Sequence, residues 1–229
     1  MAHISHVVNF ARSYLTPAGR QAVWNLTWML AGRITSQVCL VVVILLLTRA
    51  LGQQRFGIFA TALAIQGYIV LLGAAGMPAV IVREAVRRPH QRSEIASTFL
   101  GVAWLIGLLG AAALGVTVFF LDISPAERLL LIAMCLGAAV ASGNPQPLFD
   151  ALHRQAFPSL TLAAGDVLLL AGIALLWLAG GVSLPAIGLL FSLKWLATVA
   201  VMVLCVRRWV PLAVASVHWA EAARLVGDG

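Results

Sequence analysis

The sequence is poor in charged residues and contains a single lysine. Only 10% of its 229 residues are charged, whereas 62% are hydrophobic, and the mean hydropathy is +0.99. A soluble domain of this length needs far more polar surface than these residues supply. The composition therefore excludes an ordinary soluble domain and indicates a membrane protein.

The sequence also lacks the short motifs of common catalytic and metal sites. A Walker A loop needs a lysine directly after a glycine, but Lys194 follows the apolar stretch LLFSL. No GxSxG and no HExxH motif occurs, and Cys39, Cys135 and Cys205 are not at metal-ligand spacing. We therefore expect no cofactor, no metal site and no enzyme activity, with a membrane-embedded transferase as the remaining catalytic alternative.

Long apolar runs divide the chain into six candidate transmembrane helices. Each run approaches or exceeds the roughly 20 residues that a helix needs to cross a bilayer. The runs show no alternation of apolar and polar residues, so helices are favoured over strands. The predicted fold is all-α, a polytopic six-helix bundle between a cytoplasmic segment 1–23 and a cytoplasmic tail 207–229. The predicted spans are residues 24–48, 57–82, 96–121, 127–143, 157–180 and 184–206.

The arginines lie mostly on one side of this predicted bundle. If the N-terminus is cytoplasmic, the inside segments carry ten arginines and the outside loops carry only Arg49, Arg55 and Arg128. Cytoplasmic loops carry an excess of basic residues in membrane proteins, so both termini are expected in the cytoplasm. The basic loop 83–92 is expected to meet anionic lipid headgroups rather than nucleic acid.

Three charged residues fall deep inside the predicted spans. Arg33, Asp166 and Lys194 lie roughly 13 to 18 Å from the cytoplasmic end of their predicted spans at about 1.5 Å per residue. Each costs about 2.5–3.5 kcal/mol at a helix centre, so these side chains should face a wet cavity or one another. Asn25, Arg33 and Gln37 share one face of the first helix because they repeat at multiples of four.

This constellation has two interpretations. Arginine and lysine beside a cavity at the membrane midplane favour an anionic ligand such as a diphosphate, which would contact Arg33, Lys194, Asn25 and Gln37. Alternatively, Asp166 and Lys194 form a buried pair that only holds the fifth and sixth helices together.

The region after the first helix contains a series of short motifs. Gly52 and Gly57 permit a tight turn between two antiparallel helices. In order and spacing the series resembles the N-terminal region of Wzx-like polysaccharide biosynthesis proteins, the oligosaccharide flippases of the multidrug/oligosaccharidyl-lipid/polysaccharide exporter superfamily. We call this series the connector motif, and it comprises Arg49, Gly52, Phe56, Gly57, Gly76, Arg83 and Glu84.

The resemblance implies that the chain moves a polyprenyl-diphosphate-linked oligosaccharide to the outer leaflet by alternating access. Arg33 and Lys194 would then contact the diphosphate and the adjoining sugar, and Asp166 would couple transport to an ion gradient. In the flippases of that superfamily, two six-helix bundles face each other. This chain is therefore expected to be equivalent to an N-terminal half, truncated in the tail 207–229, that needs a second half or a second copy.

Further partners implied by the resemblance are the lipid bilayer and the polysaccharide polymerase machinery. Two alternatives stay open. The chain is a non-transporting scaffold or an inactive half-length fragment in a polysaccharide assembly complex, or it is a multidrug exporter of the same superfamily. An exporter of organic cations would prefer acidic cavity residues, which the balance of two cations to one carboxylate disfavours.

Overall fold

The computed structural model describes residues 17–74 and 77–210, and the regular structure in these ranges is entirely helical. The predicted all-α fold is thus confirmed for this part of the chain. A 3-10 turn, Pro89–Gln91, joins the second and third helices. The described residues form seven α-helices, namely α1 (Pro17–Ala74), α2 (Met77–Arg87), α3 (Arg92–Phe119), α4 (Pro125–Ser142), α5 (Gln146–Ala151), α6 (Ala156–Leu178) and α7 (Leu184–Val206).

Five helical stretches of the described residues are long and apolar enough to cross a membrane. The first begins in α1, and the other four contain α3, α4, α6 and α7. These lengths and compositions are those of a multi-pass membrane protein. Whether these helices make six spans depends on α1, which covers the predicted span 24–48 and residues 57–74 of the predicted span 57–82.

The chain reverses direction within α1. Its backbone leaves helical geometry at Gly52, where φ is 72° and ψ is 172°. Before this point, the amide of Asn25 donates a hydrogen bond to the carbonyl of His153. After it, Gly73 packs against the Ser142 side chain. A straight helix would separate Asn25 from Gly73 by about 72 Å, whereas the eleven residues from Ser142 to His153 span at most about 40 Å.

Gly52 therefore divides α1 into a first limb, residues 17–51, and a second limb, residues 53–74. Its φ and ψ values fall in a region that only glycine adopts readily. No atom lies within 4 Å of where a Cβ would stand, so backbone conformation alone requires the glycine. Gly57, which we expected to contribute to the turn, lies in regular helix of the second limb.

Buried side chains form a cluster at each end of the bundle. The cluster at the Gly52 end joins Leu51 of α1 to the end of α3, the start of α4 and the start of α7. The opposite cluster joins α2, the start of α3, α5 and the end of α7 around Phe149 and Met202. This second end carries most of the described arginines, including Arg83, Arg92 and Arg207.

Local signals position several helix ends. Ser124 and Glu127 form a capping box at the start of α4, because each side chain bonds the backbone N–H of the other residue. Gly180 ends α6 with φ at 67°, and Gly181 N–H donates to Leu176 at 2.9 Å. This hydrogen bond and the left-handed conformation of Gly180 are features of a Schellman motif, which commonly ends a helix.

Candidate anion-binding cavity

A cavity of about 580 Å³ opens between the first limb of α1, α6 and α7. Its volume lies within the range of roughly 300–1,000 Å³ that is usual for sites of organic ligands. Apolar side chains make up part of the wall. The polar side chains that line it are Arg33, Ser36, Gln37, Gln146, Ser159, Asp166 and Lys194.

A close approach of two helices places Arg33 at the cavity. A Cβ on the neighbouring Gly32 would lie 2.8 Å from the backbone oxygen of Ser159 in α6, so only glycine allows this contact. Gln37 follows Arg33 by four residues and therefore lies on the same face of the first limb. Both line the cavity.

Asp166 and Lys194 form an ion pair in the cavity wall. The Lys194 Nζ atom lies 2.6 Å from the Asp166 Oδ1 atom, and the side chains are 10% and 14% exposed. The same ammonium lies 4.4 Å from the centre of the Trp195 ring, within the range of a cation–π interaction. Lys194 is thus held by two neighbours, and the pair links α6 to α7.

Arg33 differs from Lys194 because it is exposed and makes no hydrogen bond or ion pair with any residue that the structure describes. Its charge does act on the partly buried carboxylate of Asp150 in α5. Within the part of the chain that the structure describes, Arg33 is the cavity cation that a ligand can reach without breaking an existing contact.

Asn25 and the connector motif lie apart from the residues that line the cavity. Asn25 ties the first limb of α1 to the loop after α5 through its 3.2 Å hydrogen bond to the His153 carbonyl. Phe56 packs against the core at the Gly52 end, and its ring centre lies 6.0 Å from that of Phe59. Arg49 is exposed one turn before Gly52.

The remaining connector residues fall on α2 or outside the described ranges. Glu84 lies 3.5 Å from Arg83 and 3.3 Å from Arg88, measured between carboxylate oxygens and guanidinium nitrogens. These contacts stabilise the arginine-rich end of α2. Gly76 lies outside the described residues.

Three further residues lie at or near this cavity and were not predicted from the sequence, namely Gln146, Asp150 and Trp195. Gln146 and Asp150 lie four residues apart on α5, so they share a face of that short helix. This spacing is visible in the sequence, but the two prolines of segment 142–150 indicate either an inside loop or a broken helix end that lines the cavity. Trp195 follows Lys194 directly, and nothing in the sequence distinguishes it from a lipid-facing tryptophan.

The described residues contain no group of three or more His, Cys, Asp or Glu side chains arranged to hold a metal ion. The three cysteines have free thiols and lie in helices.

Comparison with known proteins finds one family. A family model described as polysaccharide biosynthesis protein matches residues 22–223, a range that includes every residue of the cavity. No curated protein and no solved structure matches the chain significantly.

Proposed function

Because the chain belongs to the family of polysaccharide biosynthesis proteins that contains the Wzx-like flippases, we propose that it translocates a polyprenyl-diphosphate-linked oligosaccharide across the bacterial cytoplasmic membrane. The family, together with helices that can span a membrane, supports a transporter of surface polysaccharide synthesis rather than an enzyme. The translocated oligosaccharide then serves the polysaccharide polymerase machinery on the outer side of the membrane.

The observation that carries this proposal is the position of Arg33. Its guanidinium is exposed at a cavity between three helices and makes no ion pair with any described residue. A guanidinium presents several N–H donors in a plane, which matches the paired oxygens of a diphosphate. Gln37 and Gln146 add amide groups that suit the hydroxyl groups of a sugar.

Alternating access requires two bundles that move against one another. The reversal at Gly52 lets the two limbs of α1 cross the membrane separately, which makes six crossings with α3, α4, α6 and α7. We propose that this six-helix unit pairs with a second one, either another half or another copy of the chain. Both termini lie in the cytoplasm, since the arginine-rich end of the bundle carries α2, α5 and the end of α7.

Asp166 is the proposed site of ion coupling. Its carboxylate lies in the cavity wall against Lys194, where a change in its charge would also change the electrostatic attraction for an anionic cargo. The scaffold alternative is favoured by the same contact, because a 2.6 Å ion pair between α6 and α7 also serves packing. Arg33 distinguishes the transport function from the scaffold function, since Arg33 makes no ion pair with any residue that the structure describes.

The test is glycan export in bacterial cells that lack the matching flippase. Wild type, Arg33→Ala, Lys194→Ala and the exposed control Arg55→Ala are compared at equal abundance in the membrane. We expect wild type and the control to restore export, and Arg33→Ala to lose it. Full export with Arg33→Ala would contradict the cationic site, and no export with well-expressed wild type would exclude a carrier made of two copies of this chain alone.

A further inference from the structure

A second opening in the surface is apolar and lies on another side of the bundle. It is a groove of about 410 Å³ between α3, α4 and α7. The Trp104 indole N–H donates to the carbonyl of Val140 at 3.3 Å, which fixes this ring as one wall of the groove. The side chains of α7 that line the groove are Leu196, Val199, Ala200 and Val203.

The groove leads toward a basic residue. Residues 196, 200, 203 and 207 follow one another at three- or four-residue spacing, so they share a face of α7. Arg207 lies one turn beyond Val203, directly after the last helical residue, and is exposed. No carboxylate of the described residues pairs with it.

The surroundings of Arg207 are those of a membrane interface. Arg208 and Trp209 follow it and are exposed. The Trp209 ring lies 4.5 Å from the Arg154 guanidinium and 6.0 Å from the Phe149 ring centre. Tryptophan and arginine concentrate where the hydrocarbon of the bilayer meets its headgroups.

We propose that the groove and Arg207 bind one anionic glycerophospholipid of the bilayer. One acyl chain lies in the groove, and the lipid phosphate accepts hydrogen bonds from the Arg207 guanidinium. An apolar groove on a membrane-facing surface is filled by hydrocarbon rather than by water, because none of its walls offers water a hydrogen bond. Basic residues between helix ends on the cytoplasmic side are known recognition elements for anionic headgroups.

The site is separate from the proposed cargo cavity and goes beyond the transport function. Lys194 and Leu196 are two residues apart on α7, so their side chains are rotated by about 200° around the helix axis and lie on nearly opposite sides of the helix. The cavity and the groove therefore flank α7 on different sides and share no lining residue. A lipid in the groove would seal α3 against α7 without competing for Arg33.

The test measures lipid binding to the purified, delipidated full chain by native mass spectrometry and thermal unfolding. The probes are phosphatidylglycerol and phosphatidylcholine with identical acyl chains, and undecaprenyl diphosphate. We expect one phosphatidylglycerol to bind in preference to phosphatidylcholine. Arg207→Gln reduces this preference about fivefold, whereas Arg208→Gln, which changes the next residue on a different face, retains it.

A second pair of variants tests the groove itself. Ala200→Phe fills the groove and weakens binding of both phospholipids, whereas Val201→Phe, at the next residue of α7 on an exposed face outside the groove, does not. Equal effects of Arg207→Gln and Arg208→Gln would overturn the proposal in favour of diffuse surface attraction. Displacement of phosphatidylglycerol by undecaprenyl diphosphate would assign the groove to the cargo instead, and unchanged binding in Ala200→Phe would exclude the groove.

Discussion

The Lys194 ammonium lies 2.6 Å from the Asp166 carboxylate, in the wall of the cavity that Arg33 also lines. One of the two cations predicted to attract an anion is therefore already neutralised. The positive charge that the cavity offers to a ligand comes from Arg33. Asp166 consequently affects both the packing of α6 on α7 and the electrostatics of the site.

Removing either member of this pair should destabilise the protein. Asp166→Asn and Lys194→Met each leave one partly buried charge without its partner, at a cost of about 1–3 kcal/mol, less than for a fully enclosed pair. The double variant is expected to lose less than the sum of the two single losses, because neither charge then stays unpaired. Unfolding in mixed micelles measures all four proteins, and additive losses would show that the two side chains do not interact.

The substitution Asp166→Asn should also strengthen the binding of an anion to the cavity. Asp166→Asn removes the negative charge nearest to Lys194 and makes its ammonium available, so affinity for a polyprenyl diphosphate rises about tenfold for each 1.4 kcal/mol of repulsion removed. Titration calorimetry in micelles measures this change. Asp122→Asn, at an exposed position outside the cavity, is the control. Unchanged or weaker binding in Asp166→Asn would count against an anion site beside Lys194.

The reversal of α1 should depend on glycine at position 52. Gly52→Ala forces a side chain into a backbone region that costs about 1–3 kcal/mol for residues other than glycine, although no neighbouring atom blocks the methyl group. Gly57→Ala, in helical backbone with open space, should instead be neutral or stabilising by about 0.5–1 kcal/mol. Comparing unfolding midpoints of the two variants tests this, and equal midpoints would contradict the assigned turn.

The contact between the first limb of α1 and α6 should be sensitive to one methyl group. In Gly32→Ala, the new Cβ meets the backbone of Ser159 at 2.8 Å, so the helices must separate at a cost of about 1–3 kcal/mol. Gly67→Ala, where no atom lies within 4 Å, provides the matched control. We also expect Gly32→Ala to reduce glycan export, since Arg33 moves with the helix. A variant as stable and active as the control would show that the contact is loose.

His153 occupies a position that suits glycine. Its φ is 53°, and the N–H of Arg154 donates to the Phe149 carbonyl at 2.9 Å, as in the Schellman motif that ends α6 at Gly180. His153→Gly should therefore stabilise the protein by about 1 kcal/mol by relieving the left-handed conformation. The backbone carbonyl that accepts the Asn25 hydrogen bond is retained. Arg154→Gly, in ordinary backbone, should not stabilise, and destabilisation by His153→Gly would show that the histidine side chain has a role of its own.

Hydropathy predicted the long helices because an apolar run is a property of neighbouring residues. α7 occupies residues 184–206, the bounds of its apolar run, whereas α4 begins at Pro125, after the capping box of Ser124 and Glu127 and two residues before the predicted start at residue 127. The face shared by Arg33 and Gln37 follows from helical periodicity alone. The glycine of the turn was also visible, although the sequence did not distinguish Gly52 from Gly57.

The sequence by itself determined that the chain forms long apolar helices, that a glycine-containing turn follows the first of them and which charged residues interrupt the apolar runs. Only the tertiary structure decided that Asp166 meets Lys194, that Arg33 stays free of ion pairs within the described residues and that Asn25 bonds His153 instead of lining the cavity. The physical reason is that lipid is as apolar as the core, so a membrane helix is apolar on every side and its hydropathy does not mark the packed face. Close approaches at small residues such as Gly32 decide which helices become neighbours, and these contacts join residues distant in the sequence.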